Sequence, residues 1–306
     1  INTDPAVSLN ATFARNFPLM GKIAFISQSG AVGVAALEYA AGEKIGFSKF
    51  VSIGNKADTN ENHLLEALAD DPMTEVILMY VEDLEDPKEF INLAQRISEK
   101  KPILAVKSGR TKEGAKAAAS HTGALAGSDD VYDSLFAQCG VLRVETLEEL
   151  FRFGIAFANQ PLPRGRRLAI ITNAGGPGIM ATDAAVRYGL ELAELTPKSK
   201  SILRSNLPPT VSLNNPVDLV GDADEKRYAL AIQNAIADKN VDMIIVIVLF
   251  NTPAIDTKIG EKIARHKKKT RKPLVVITIG SEYTQNRVKE FEKQKEEFAK
   301  TILDEK

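Results

Sequence analysis

Apolar residues fall along this chain in short, nearly continuous runs separated by longer stretches of helical spacing. Lys22–Ser27 (KIAFIS), Phe47–Ile53, Glu75–Val81 (EVILMYV) and Ile103–Lys107 are such runs. Runs of this kind predict strands buried on both faces, as in a parallel sheet. The helical pattern occupies Val34–Glu43, Leu64–Ala69 and a stretch from Pro87 to about Lys100. Proline suits the first turn of a helix, where its missing N–H costs nothing. Thr59 and Asn60 are N-cap candidates for the second of these helices. After Ile103–Lys107 comes a loop of small residues, then a helix, a brief strand around Val141–Val144 and a helix over Leu147–Ala158.

Pro161–Gly165 (PLPRG) marks a boundary, and the pattern starts again. Arg167–Thr172 predicts a strand, Asn173–Gly178 (NAGGPG) a glycine loop and Ile179–Tyr188 a helix. A short strand over Leu190–Ala193, a helix near Lys198–Ser205 and a long polar loop, Ser212–Asp224, follow. Then come helix Lys226–Asp238, strand Met243–Phe250, helix Ile255–Lys268, strand Leu274–Ile279 and a charged helical tail. The halves align as copies of one plan. KIAFISQSGAVG matches RLAIITNAGGPG, EVILMYVEDLEDPKEF matches DMIIVIVLFNTPAID, and KKPILAVKSG matches RKPLVVITIG. Strictly alternating strands and helices argue an α/β fold with helices on both faces of a parallel sheet. The expectation is two doubly wound, flavodoxin-like domains over 21–160 and 165–285. A linker or remnant of an upstream domain precedes them over 1–20, and a charged helix follows over 286–306.

Composition narrows the function. The 306 residues carry a net charge of −1, which gives no reason to expect nucleic acid or an anionic membrane. No apolar run approaches the roughly 18 residues of a membrane span. The one cysteine, Cys139, cannot form an internal disulfide, and no signal peptide is visible. A cytoplasmic setting is expected. The first residue is Ile1, not Met, so the chain is expected to be part of a longer one. No His, Cys, Asp and Glu cluster has metal-ligand spacing, so no metal site is expected.

The candidate chemistry centres on His121, displayed among Ala118, Ala119, Ser120, Gly123, Ala124, Ala126 and Gly127. In open α/β sheets, ligands bind beyond the carboxyl ends of the strands. That edge gathers Gln28–Gly33, Glu82 with Asp83, and the His121 loop. Ser29, Gly30 and Ala31 open a helix whose free N–H groups suit an anion. Gly175, Gly176 and Gly178 repeat the device in the second half. The first stretch has the spacing of neither a dinucleotide fingerprint nor a P-loop. A carboxylate at Glu82 can fix an imidazole tautomer and leave its other nitrogen free to attack. Two such helix ends and one histidine suit a phosphoryl group shared between them. His63 and His266 read as solvated surface.

Together these residues resemble the nucleoside-diphosphate-forming acyl-CoA synthetases, which include ADP-forming acetyl-CoA synthetase and lead on to succinyl-CoA synthetase. The motifs ISQSGAVG, GNKADTNENHLLEALADDP, YVE, KSGRTKEGAKAAASHTGALAGSD, NAGGPGIMATDAA and NPVDLVGDAD carry the resemblance, from Gly21 to about Gly280. It implies that His121 is the phosphorylated histidine and Glu82 the glutamate that holds it. Ser29, Gly30 and Ala31 then cradle the phosphohistidine, and Gly175, Gly176 and Gly178 form the second helix end. The implied reaction interconverts acyl-CoA, phosphate and ADP with acid, CoA and ATP, with a mobile loop carrying the phosphoryl group. Coenzyme A, ATP or ADP, Mg²⁺ and phosphate are the implied cofactors. The implied partners are an ATP-grasp subunit or domain, a CoA-binding domain, a small carboxylic acid and further copies in an oligomer. Two readings compete: a non-catalytic interaction or regulatory module of the same fold, and a flavodoxin-like flavin binder. The flavin reading suffers from a first loop without a hydroxyl-rich phosphate cradle.

Overall fold

The computed structural model of the chain describes residues 1–14, 17–54, 56, 58–122, 128–250, 263 and 270–280, the side chains of 118–122 excepted. The chain divides into two compact units, Ile1–Asn159 and Gln160–Lys306. The helices expected over Ile255–Lys268 and in the tail lie outside the described residues, save Ile263.

In the first unit the elements run β1 (Met20–Ser27), α1 (Gly30–Gly42), β2 (Phe47–Ser52), α2 (Glu61–Ala69), β3 (Val76–Val81) and α3 (Pro87–Ser98). They continue with β4 (Ile103–Lys107), α4 (Lys112–Thr122), α5 (Asp129–Gln138), β5 (Leu142–Val144) and α6 (Leu147–Asn159). The five strands are parallel in the order β2-β1-β3-β4-β5, the flavodoxin-like order. Strand side chains alternate between faces, and β1 shows the result. Ala24 and Ile26 pack with Leu65, Phe90 and Phe136 of α2, α3 and α5. Ile23 and Phe25 pack on the other side with Phe47, Phe50 and Phe151. The Phe25 ring stacks 5.2 Å from Phe50 and 5.6 Å from Phe151. Full burial of one such side chain contributes about 1.5–3 kcal/mol.

The second unit repeats the plan with β6 (Arg167–Thr172), α7 (Gly175–Arg187), β7 (Glu191–Leu192), α8 (Pro197–Asn206), β8 (Val217–Asp218), α9 (Glu225–Ala237), β9 (Met243–Leu249) and β10 (Leu274–Ile279). Its parallel sheet runs β10-β9-β6-β7, and β8, inside the stretch expected as a polar loop, pairs with β6.

The internal repeat extends to side-chain detail. Lys22 bonds Glu75 at 2.6 Å where β1 and β3 begin, and Arg167 bonds Asp242 at 2.8 Å where β6 and β9 begin. Lys101 Nζ donates to the carbonyls of Leu68 and Asp71 at the end of α2. Lys272 Nζ does the same for Ala235 and Asp238 at the end of α9.

The first nine residues of the lead over 1–20 lie along the sheet edge: Asn2 bridges Leu9 and Lys49, and Thr3 Oγ1 donates to Phe47 O at 2.6 Å. Two expectations are corrected. Helices α1 and α7 begin at their glycines, not at Val34 and Ile179. The first turn of a helix has free N–H groups anyway, so glycines and Pro177 are tolerated there. The backbone of His121 belongs to the last turn of α4, not to a loop. The stretch KEGAKAAAS that leads to it is rich in alanine, the strongest helix former, and Thr111 Oγ1 accepts the Gly114 N–H at 2.9 Å near the helix start.

Candidate active site

The order of the first sheet places its topological switch point between β1 and β3, where a doubly wound fold binds its ligand. Ser27, the last residue of β1, stands opposite Tyr80. Its hydroxyl donates to Ser29 O at 2.7 Å and accepts from Ser29 N at 3.2 Å, closing the turn into α1. Ser29 Oγ then accepts from Val32 N at 3.3 Å and caps the helix. Gly30 and Ala31 are exposed beyond it. A Cβ added at Gly30 would meet nothing within 4 Å, whereas one at Gly33 would come 3.3 Å from the Phe50 ring. Gly33 therefore serves helix-to-strand packing, and the space at Gly30 is open.

Between Ser27 and Ser29 lies Gln28, which is buried. Its Oε1 accepts from Glu82 N at 2.6 Å and from Asp83 N at 3.0 Å. Its Nε2 donates to Asp83 O at 2.8 Å and to Glu61 Oε2 at 3.3 Å. Glu61 is fully buried and also accepts from Glu85 N at 2.7 Å. Lys56 lies 3.3 Å from Glu61 Oε2 and 2.8 Å from Asp83 Oδ1. The turn after β3 is thus held from behind by a buried polar network. The half-buried Glu82 carboxylate carries no hydrogen bond from any described residue.

Two further features stand beside the histidine segment. Lys107 ends β4 buried, donates to Ser108 O and lies 4.5 Å from the centre of the Tyr132 ring. Burial pulls its pKa down, against an opposing pull from Asp129, Asp83 and Glu82. Asp129, the first residue of α5, is bound by Arg110 from the end of β4 and by Arg143 of β5. Burial raises the Asp129 pKa, but the two guanidiniums outweigh it and hold the carboxyl below its usual range. The excursion from Arg110 to Asp129, which carries His121, is therefore clasped at its base. The side chain of His121 itself lies outside the described residues, as do 123–127.

The second unit uses the same turn. Thr172 Oγ1 donates to Ala174 O at 3.0 Å and accepts from Ala174 N at 2.9 Å. Asn173 takes the place of Gln28, with Leu249 N donating to Oδ1 and Nδ2 donating to Leu249 O. Helix α7 has no side-chain cap. A Cβ at Gly176 would meet nothing within 4 Å, and one at Gly178 would come 3.1 Å from Thr172 Cγ2. Helices α2, α3, α4, α5, α6 and α9 each carry a carboxylate in the first turn. Helices α1, α7 and α8 carry none, and of these only α1 and α7 begin with glycine. Both glycine ends set the positive end of a helix dipole at the sheet edge, where an anion is favoured; at α7 the Asp218 carboxylate stands close by, its Oδ2 3.3 Å from where a Gly175 Cβ would lie. Ser29, Gly30, Ala31 and Glu82 are thus brought to one edge of the first sheet. Gly175, Gly176 and Gly178 lie at the equivalent edge of the second.

The sequence reading did not single out Lys56, Glu61, Lys107, Arg110, Asp129 or Arg143. Their signal is weak because charged residues flanking apolar runs ordinarily face water. His63, expected as solvated, is exposed but accepts from Asn60 N at 3.3 Å, completing the cap of α2. Asp86 caps α3 through the Lys88 and Glu89 amides. His266 lies outside the described residues. Among the described residues no group of three or more His, Cys, Asp or Glu is arranged to hold a metal ion, and no helix is long and apolar enough to cross a membrane.

Two parallel doubly wound units, each with a glycine-opened helix at its carboxyl edge, define an α/β chain of the flavodoxin-like class. Residues 20–157 match the model of a succinyl-CoA-ligase-like flavodoxin domain, and residues 168–292 match that of a ligase-CoA domain. The chain belongs to the nucleoside-diphosphate-forming acyl-CoA synthetase family. It is 46% identical over 274 residues to subunit alpha of acetate–CoA ligase (ADP-forming) I of Pyrococcus furiosus, covering 89% of this chain and 59% of that one. It is 43% identical over 282 residues to the 4-hydroxybutyrate–CoA ligase (ADP-forming) of Nitrosopumilus maritimus, covering 92% of this chain and 40% of that protein. A solved structure of a dinucleotide-forming acetyl-coenzyme A synthetase 1 from Ca. Korarchaeum cryptofilum, in complex with phosphate and ADP, superposes with a TM-score of 0.86 at 37% identity. That match covers 94% of this chain and 63% of the other. The chain therefore spans between two fifths and two thirds of these relatives.

Proposed function

We propose that this chain is the phosphoryl-relay part of an ADP-forming acyl-CoA synthetase, with His121 as the carrier. The observation that carries the reading is the pair of glycine-opened helix ends, each without a carboxylate in its first turn. Exposed Gly30 and Ala31 behind the Ser29 cap fit a phosphate, as does the open space at Gly176 of the uncapped α7. Gly178 packs α7 close against its strand so that this end stands at the sheet edge.

Phosphate displaces CoA from the acyl-CoA, giving an acyl phosphate and free thiol. A neutral His121 nitrogen attacks the phosphorus, and the P–O bond to the acyl group breaks. The carboxylate leaves with the bonding electrons. Glu82 accepts from the other imidazole N–H and stabilises the cation that forms. A β-phosphate oxygen of ADP then attacks the phosphorus, the P–N bond breaks and ATP leaves with the imidazole neutral again. Oriented donors at a helix end stabilise the phosphoryl charge in each transfer. ADP, Mg²⁺ and CoA fall to an ATP-grasp partner and a CoA-binding domain. A small carboxylic acid is the substrate class, and the setting is cytoplasmic.

The test is ATP formation from acetyl-CoA, phosphate and ADP by this chain assembled with its cognate CoA-binding and ATP-grasp parts. His121→Ala is expected to abolish turnover with the fold and the assembly intact. Turnover by that variant would overturn the assignment; partner binding unchanged by His121→Ala, with no phosphorylation of the wild type, would favour an interaction module.

A further inference from the structure

We infer that Gln28 is a positioning residue that sets the Glu82 carboxylate and the α1 anion cradle in one fixed relation. The inference rests on the reading of Glu82 as the partner of His121. Gln28 stands directly before Ser29, which caps α1, so its backbone fixes the start of the cradle. Its side chain crosses the switch point and holds the turn after β3.

The bonding is saturated. A glutamine amide offers one carbonyl with two lone pairs and one NH₂ with two donors. Oε1 takes the Glu82 and Asp83 amides at 2.6 and 3.0 Å. Nε2 gives to Asp83 O at 2.8 Å and Glu61 Oε2 at 3.3 Å. Only one amide orientation satisfies all four. Glu61 is itself fixed, fully buried between Glu85 N and Lys56 Nζ. Neither Gln28 nor the turn it holds is free to drift.

The second unit shows what the sheet alone requires. There Asn173 joins the two central strands with one bond given and one received, both to Leu249. Thr172 opposite Ile247 and Ser27 opposite Tyr80 place Leu249 where the first unit has Glu82. A short amide therefore suffices to tie the strands when no carboxylate follows. The extra reach of Gln28, and the buried Lys56–Glu61 pair behind it, occur where a carboxylate must be aimed.

A misplacement of about 1 Å in a reacting group can cost about 100-fold in rate. Gln28→Met, which keeps the shape and removes the bonds, is expected to slow His121 phosphorylation about 10- to 100-fold. The experiment measures single-turnover phosphorylation of this chain by MgATP with its cognate ATP-grasp partner. It compares wild type, Gln28→Met, Glu82→Gln and the double variant. Residues that act through one another lose additivity, so the double variant is expected to match Glu82→Gln alone. Additive losses, or wild-type rates in Gln28→Met with Glu82→Gln impaired, would overturn the inference while leaving the role of Glu82 standing. Wild-type rates in Glu82→Gln, or an unlabelled wild type, would overturn the underlying reading. Should Gln28→Met not fold, Gln28→Glu combined with Glu61→Gln keeps an acceptor for the Glu82 and Asp83 amides without setting two buried carboxylates together. It is expected to retain more of the rate than Gln28→Ala, and equal losses in the two would contradict the inference.

Discussion

The starts of α1 and α7 are copies that have been finished differently. Both turns are closed by a strand-end hydroxyl, Ser27 in one and Thr172 in the other. Both are followed by a buried amide that reaches across the switch point. Beyond that they diverge. The first helix is capped by Ser29, backed by the buried charges of Lys56 and Glu61, and faced by Glu82. The second is uncapped, opens Gly175–Gly176–Pro177–Gly178, and has Leu249 at the equivalent of Glu82. One scaffold thus yields an end with a side-chain cap and an end without one. The histidine segment lies in the unit of the capped end.

The largest expected effect breaks the backing of the first end. Lys56→Met leaves the fully buried Glu61 without its cation. Breaking such a pair by removing one partner costs about 3–5 kcal/mol. Urea unfolding of the chain should show a loss of that order in the first unit. A loss well under 1 kcal/mol would mean Glu61 is not held as described.

Next come the glycines of the second end. Gly178→Ala brings a Cβ to 3.1 Å from Thr172 Cγ2 and 3.5 Å from Pro216, and overpacking of this kind costs about 1–3 kcal/mol. Gly176→Ala meets open space and is expected to stabilise by about 0.4–1 kcal/mol through a stiffer unfolded chain. Thermal unfolding of the two variants should move in opposite directions.

The caps can be exchanged. Ser29→Ala removes the bond to Val32 N and should cost about 1 kcal/mol. Ala174→Ser offers α7 the hydroxyl it lacks and should gain a similar amount. The serine then competes with an anion for the free N–H groups, so phosphoryl transfer to the nucleotide should slow as stability rises. Equal transfer rates would show that the bare end of α7 is not used.

The smallest effect concerns the clasp at the base of the histidine segment. The Asp129 pKa is lower in the folded chain than in the unfolded one. The unfolded state therefore binds more protons as the carboxyl titrates. Its contribution is complete above the ordinary carboxylate value of about 4 and is lost as pH falls through the lowered value. The stability gap between wild type and Asp129→Asn should be constant near neutrality and close below about pH 4.

The architecture was legible because apolar strand runs and matching halves carry it directly. KIAFIS and RLAIIT end in hydroxyl residues, and both are followed by amides and small residues. The start of α7 at Gly175 was not legible, because glycine and proline read as loop residues although a first turn tolerates them. His121 was expected in a loop because small residues surround it, but its alanines favour helix. The polar network was hidden for a different reason. Gln28 and Glu61 are buried polar residues and Lys56 is partly buried; the Gln28–Glu61 bond joins positions 33 residues apart, a pairing that no local pattern announces, and it offsets the cost of their burial.

The most direct test is intact mass after the chain is incubated with MgATP and its cognate ATP-grasp partner, for wild type and His121→Ala. The account predicts one added phosphoryl group on the wild type, lost in acid and absent from the variant. An unlabelled wild type in a folded complex, or equal labelling of both proteins, would contradict it.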